Sequence, residues 1–162
     1  MNSSTTKTSP PKVDAFKQLE LGRRGEALAA AYLQHLGYHI VAANFALPVG
    51  RNRVGAPINV EIDLVAYQGD TLCFIEVKSR ASDWFAPPQV NVDRRKQRQI
   101  ARAARAYRRM FGLVGEPYRY DVVTIVFGEQ EDVRLTPKID LLRNYWTEDQ
   151  LRKRTWSDRY YD

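Results

Sequence analysis

Two short apolar runs joined by a three-residue turn constrain this chain more than any other feature. Ile58 to Tyr67 and Thr71 to Lys78 are rich in β-branched and aromatic residues, which is the composition of strands. Gln68-Gly69-Asp70 lies between them and has turn chemistry, so the two runs are predicted to pair as a hairpin. Strand side chains alternate faces, so Glu76 and Lys78 share one face while Ile75 and Val77 take the other. One hairpin can thereby bring Asp63, Glu76 and Lys78 into one small volume. A divalent-metal phosphodiesterase site needs that combination. Hard oxygens hold Mg²⁺, and a lysine stabilises developing charge or positions the attacking water. Charges on the wet face of a hairpin are also ordinary, and an Asp–Lys cross-strand pair contributes only ~0.2–1 kcal/mol. The surrounding sequence decides between the two readings.

Composition narrows the classes. A chain of 162 residues is long enough for one domain with its own core. No apolar run approaches the ~20 residues of a membrane span, and Met1 to Pro11 lacks an apolar signal segment. No membrane partner is expected. The one cysteine, Cys73, lies within a strand run and reads as a buried thiol with no partner in the chain. A reducing, cytoplasmic location is the expectation. The net charge of +6 favours polyanionic partners.

Along the chain, residues 1–14 read as a disordered tail, 15–138 as the domain proper and 139–162 as a polar C-terminal extension, part of it a short helix. A first helix is predicted from Phe16 or Gly22 to Leu36, with Gly37 as its C-cap. Tyr38 to Phe45 reads as a strand. Ala46 to Pro57, with two prolines and two glycines, reads as a long loop. The hairpin follows, then a second loop from Ala81 to Gln89. A second helix starts after Asn91 or Asp93 and reaches about Phe111, and Arg119 to Phe127 is a fourth strand. The order αβββαβ implies an α/β fold. Its mixed four-stranded sheet would be an antiparallel meander, followed by a helical crossover to a strand parallel to the third.

At 100° per residue, Arg94, Arg95, Arg98, Arg102, Arg105, Arg108 and Arg109 occupy one sector of about 140° of the second helix. Ile100, Ala103, Tyr107, Met110 and Phe111 lie opposite and are expected against the sheet. A solvated face is the plain reading, but such faces usually mix signs, because like charges at i,i+4 repel. A phosphate backbone would complement the arginines. Lys96 shares the sheet-facing phase. Its stem either snorkels along the core or directs a second ammonium at the site. On the first helix, Glu26 shares a stripe with Ala29, Ala30 and Leu33. It is either a first-turn glutamate favoured by the helix dipole after Gly22 or Gly25 or a carboxylate that needs a partner such as a metal or Lys78.

The assembled pattern resembles a family. Gly22-Arg-Arg-Gly-Glu26, Ala30 to Leu33, Gly37-Tyr38 and Asn44 are similar to the opening of the YraN family (UPF0102), bacterial proteins to which endonuclease activity is ascribed. Glu61 to Val65, Phe74 to Arg80, Val92 to Tyr107 and Arg119 to Val122 resemble its later motifs, so the likeness covers about Leu21 to Phe127. The family is similar in fold to the PD-(D/E)xK nucleases, which include restriction enzymes and Holliday-junction resolvases. The resemblance implies an αβββαβ restriction-endonuclease-like core and a site using Mg²⁺ or Mn²⁺. Asp63 and Glu76 would bind the metal, with the Val77 carbonyl as a further ligand. Lys78 would be the catalytic lysine, and Glu26 would complete the acidic cluster. Val60 stands where the family usually has glycine, and Pro48 to Pro57 looks like an insertion.

The expected function is endonucleolytic cleavage of DNA, on branched or recombination intermediates, with Arg51, Arg53, Arg80, Lys96, Arg98, Arg102 and Arg105 contacting nucleic acid. Symmetric cutting of two strands would call for a homodimer. The alternatives are a nucleic-acid-binding module without catalysis and a protein adaptor that uses the C-terminal aromatic residues and arginines.

Overall fold

A computed structural model describes residues 12–81, 92–128 and 136–152, with side chains from residue 16 onward in the first segment. Its elements are helix α1 (Lys12–His35), strands β1 (His39–Arg51), β2 (Pro57–Gln68) and β3 (Thr71–Arg80), helix α2 (Arg94–Met110), and strands β4 (Tyr118–Val126) and β5 (Lys138–Trp146). The sheet runs in chain order, β1-β2-β3-β4-β5. Only β3 and β4 are parallel. The fold is α/β with the expected meander and crossover. Among the described residues no helix is long and apolar enough to cross a membrane. The tail at residues 1–11, most of the 81–89 loop and the final ten residues lie outside the described residues.

Both helices end as the sequence suggests. Gly37 has φ 85°, the Gly37 amide donates to Gln34 O and the Tyr38 amide to Leu33 O. This paired pattern needs a left-handed residue just past the helix. The Asp93 side chain accepts the Lys96 amide at 2.7 Å and caps α2, satisfying one of its orphan donors. The start of α1 differs from expectation. It begins at Lys12, so Glu26 is a mid-helix residue and not a first-turn one.

Each face of the sheet carries one core. Leu47, Val60, Ile62, Val65, Leu72, Phe74 and Tyr120 pack under α2 with Ile100, Ala103, Ala104 and Tyr107. Leu64, Ala66, Cys73, Ile75, Val123 and Ile125 pack under α1 with Ala29 and Leu33. Met110 and Phe111, expected inside, are exposed at the end of α2. Close contact between α1 and β3 depends on Gly25: a Cβ there would fall 1.7 Å from Ser79 Oγ and 2.9 Å from Ser79 Cβ.

Two further sequence expectations are corrected. The sheet has five strands, because Lys138–Trp146 pairs with β4. Trp146 is buried and stacks on Tyr120 at 4.9 Å. Glu148, just beyond, accepts from both Tyr120 (2.8 Å) and Tyr118 (3.1 Å). A bulge hides this strand in the sequence: Asn144 has φ 51°, and its amide is taken by the fully buried Asp121 at 2.8 Å. The second correction concerns residues 46–57. The chain there continues as β1 to Arg51, turns, and returns as β2 from Pro57. Ala46, Leu47 and Pro48 pair with Glu61, Val60 and Asn59, and a bulge between Pro48 and Gly50 absorbs the turn-forming residues. Burying Leu47, worth about 1.5–3 kcal/mol, fixes this segment on α2.

Candidate active site

The site arises where β2 and β3 part. Their ladder runs from Gln68↔Thr71 to Leu64↔Ile75 and ends there. β3 remains paired on its other side, with β4, as far as Arg80↔Val126, while β2 follows β1 to Arg51↔Pro57. The first residues past the fork are Asp63 and Glu76. The Val77 amide, which has lost its ladder partner on β2, donates to Asp63 Oδ2 at 2.7 Å. A carboxylate side chain thus replaces the strand carbonyl that the backbone donor would otherwise require.

A break in the pleat aims Asp63 at this gap. Val60 and Ile62 lie on the α2 face, but so do Val65 and Tyr67, while Leu64 and Ala66 lie on the α1 face. The two-residue alternation of β2 therefore shifts phase at Asp63. In β1 the same shift occurs at Asn44, which stands between the pairs Ala43↔Leu64 and Phe45↔Ile62, opposite Asp63. Asn44 has φ 51°, a conformation that asparagine tolerates better than most residues. Its Nδ2 donates to Glu26 Oε2 at 2.7 Å and to Glu61 Oε1 at 3.1 Å. One amide thus links the helix carboxylate to the strand opposite Asp63.

On the α2 face, Glu76 is 3% exposed. Lys78 Nζ donates to its Oε1 at 2.8 Å. Lys96 Nζ lies 3.4 Å from Oε2, within ion-pair distance, but Oε2 has no hydrogen-bond partner among the described residues. Lys96 therefore belongs to the site and not to the arginine face, as its helical phase allowed. Burial, and then the charge of Glu76, pushes the Asp63 carboxyl up to about 7; the Val77 amide and Lys96 oppose this, and Glu26 adds to it. Lys96 thus acts on both carboxylates. Lys96→Met should leave one Glu76 oxygen without a cation and destabilise the metal-free protein by about 1–3 kcal/mol, measurable by urea titration in chelator. An unchanged midpoint would refute that pairing.

Of the residues expected together, Asp63, Glu76 and Lys78 lie at the fork, where the Val77 amide contacts Asp63; Glu26, on α1, bonds Asn44 and acts on Asp63 through its charge. The expected nucleic-acid contacts are spread more widely. Arg51 donates to Gly55 O at 2.7 Å and closes the β1–β2 turn. Arg102 donates to Val49 O at 2.6 Å, and Arg105 pairs with Glu148 at 2.5 Å. Arg98, Arg102, Arg105 and Arg152 line a groove of about 390 Å³ with Glu148. Arg53, Arg80 and Arg98 are exposed. Sequence reasoning gives Asn44 and Glu61 no contact in the site and reads Gly25 as a helix start. The available signals were an asparagine in the middle of a strand and a glycine inside a helix.

Comparison with known proteins identifies the lineage. The model of the uncharacterised protein family UPF0102 matches residues 25–125. A UPF0102 protein of Moorella thermoacetica is 42% identical over 112 residues, covering 69% of this chain and 85% of the relative. The chain belongs to the UPF0102 family. A UPF0102 protein of Chlorobium chlorochromatii is 41% identical over 117 residues (72% of this chain, 82% of the relative). Another, from Koribacter versatilis, is 36% identical over 134 residues (83% and 84%). The UPF0102 match spans α1 from Gly25 through nearly all of β4, and so takes in every residue at the fork.

Proposed function

We propose that this UPF0102 protein is a metal-dependent endonuclease that hydrolyses DNA phosphodiester bonds, with branched DNA as the preferred substrate. The observation that carries the reading is the fork itself: Asp63 and Glu76 face one gap, with two ammoniums on Glu76. The residues fit a divalent cation. Among the described residues Glu76 Oε2 is buried without a hydrogen bond, and Asp63 is held near Glu76 at an electrostatic cost; a cation would relieve both. Asp63 and Glu76 would hold Mg²⁺ or Mn²⁺, with the Val77 carbonyl as a hard-oxygen ligand. When bound, such an ion polarises the phosphate and acidifies an attacking water. Lys78, still 40% exposed, is placed to orient that water or to steady charge on the phosphoryl oxygens. Lys96 screens the paired carboxylates, and Glu26, held by Asn44, adds negative charge on the opposite side.

A second reading, a DNA-binding protein without catalysis, is favoured by one fact: no three His, Cys, Asp or Glu side chains among the described residues are grouped to hold a metal. One experiment separates the two. Fluorescent duplex, single-stranded, flap and four-way-junction DNAs are incubated with Mg²⁺ or Mn²⁺, comparing the wild type with Lys78→Met. The nuclease reading expects cutting of at least one substrate, lost in chelator and reduced by at least about a hundredfold in the variant. Binding without cutting on every substrate would leave the second reading standing.

A further inference from the structure

Past the fork, β1 and β2 continue as a two-stranded ribbon, from Ala43↔Leu64 to Arg51↔Pro57. Its turn is pre-organised. Asn52 Oδ1 accepts the amides of Val54 (3.0 Å) and Ala56 (2.9 Å). The Asn52 amide donates to Ala56 O and the Gly55 amide to Asn52 O, while Arg51 closes the turn through Gly55 O. The interior of the ribbon is braced on α2 by buried Leu47 and Val60 and by the Arg102 bond to Val49 O. The side chains this rigid turn holds outward are Arg53, exposed, and Val54, 86% exposed. A solvated turn gains nothing from holding a valine outward, whereas a cation and a branched apolar side chain together suit a base-lined groove.

We propose that the β1–β2 ribbon is a finger that grips double-stranded nucleic acid, its Arg53–Val54 tip entering the major groove of the duplex that flanks the scissile bond. The major groove of undeformed B-form DNA admits a two-stranded ribbon, whereas the minor groove takes one only where the duplex is widened and bent; in the major groove arginine can meet guanine or a phosphate, and an apolar side chain can meet a thymine methyl. Scale supports the placement. Pro57, where the turn rejoins the ribbon, lies six residue steps before Asp63, which at about 3.4 Å per step is about 20 Å along the strand. This corresponds to about six base pairs at 3.4 Å per step. The ribbon adjoins the arginine face of α2 through Arg102, so phosphate contacts can continue from one to the other. The inference rests on the nuclease reading for its geometry, but its affinity test does not depend on cleavage.

Binding is measured by fluorescence anisotropy of a labelled DNA duplex in chelator, with Asp63→Ala as the parent protein. Arg53→Ala combined with Val54→Ser should weaken binding about five- to fiftyfold and flatten the salt dependence by about one phosphate contact. The thermal midpoint should not change, because both side chains lie in solvent. A photo-crosslinking residue at position 54 should mark the duplex at one cluster of nucleotides, about six steps from the bond that the wild-type protein cuts. Unchanged affinity in the double variant, or crosslinks spread evenly along the duplex, would overturn the finger while leaving the nuclease reading intact. Localised crosslinks from a protein that never cuts would support the finger and sink the nuclease instead.

Discussion

Asp63→Asn is expected to lower metal-dependent cleavage by at least about 10²–10³-fold and to make the metal-free protein more stable. Both effects follow from one electrostatic arrangement. The folded carboxyl titrates near 7 and its ordinary value is 3.8; burial is the main cause, and repulsion from Glu76 comes next. Between these values the folded chain holds a proton that the unfolded chain releases. Stability must therefore fall as pH rises from about 4 to about 7 and stay low above that. The whole interval corresponds to about 4 kcal/mol, of which the Glu76 repulsion is one part. Asparagine carries no charge and can still accept the Val77 amide, so the variant should lose most of this slope. Urea titrations in chelator at pH 5 and pH 8 would read it: the wild type weaker at pH 8, the variant nearly level. Parallel slopes would show that Asp63 is not held under strain. Divalent ions should raise the wild-type midpoint at pH 8 and leave the variant almost unmoved, because the ion compensates a charge that the variant lacks.

That arrangement was half legible in the sequence. Asp63, Glu76 and Lys78 could be grouped because strand alternation and a Gly-containing turn are local signals, and Lys96 could be assigned to the sheet side by helical phase alone. The phase break at Asp63 was not legible. It depends on a left-handed Asn44 in a neighbouring strand and on a ladder that stops after Leu64↔Ile75, and both are tertiary facts. The ribbon reads as a loop in the sequence because Pro48, Gly50, Gly55 and Pro57 are turn-formers, yet a bulge and a five-residue turn accommodate them. β5 is hidden in the sequence for a similar reason: the bulge at Asn144 interrupts its alternation. Family resemblance puts Glu26 in the proposed site, and of its two sequence readings the first-turn one fails because α1 begins at Lys12. Gly22 and Gly25 resemble a helix start, and only the packing shows that Gly25 marks a close approach.

That close approach gives the second large effect. By intrinsic propensity, Gly25→Ala should stabilise α1 by about 1 kcal/mol. The packing predicts the opposite sign. The new Cβ would lie 1.7 Å from Ser79 Oγ, which rotation of the serine could relieve, but also 2.9 Å from Ser79 Cβ, which is fixed to the β3 backbone. α1 must therefore shift, and overpacking of this kind costs about 1–3 kcal/mol or more. Glu26 follows Gly25 directly, and its 2.7 Å bond to Asn44 would be stretched by any such shift, while Ser79 follows the proposed catalytic lysine. Displacement of about an ångström at either residue can cost on the order of a hundredfold in rate. The expected result is a lower unfolding midpoint together with reduced cleavage. Ser79→Gly should partly rescue both, since it removes the atoms that clash, so the double variant should be less destabilised than the sum of the two single changes. If Gly25→Ala is stabilising, or if the two changes simply add, then α1 does not depend on this contact to place Glu26 beside the fork.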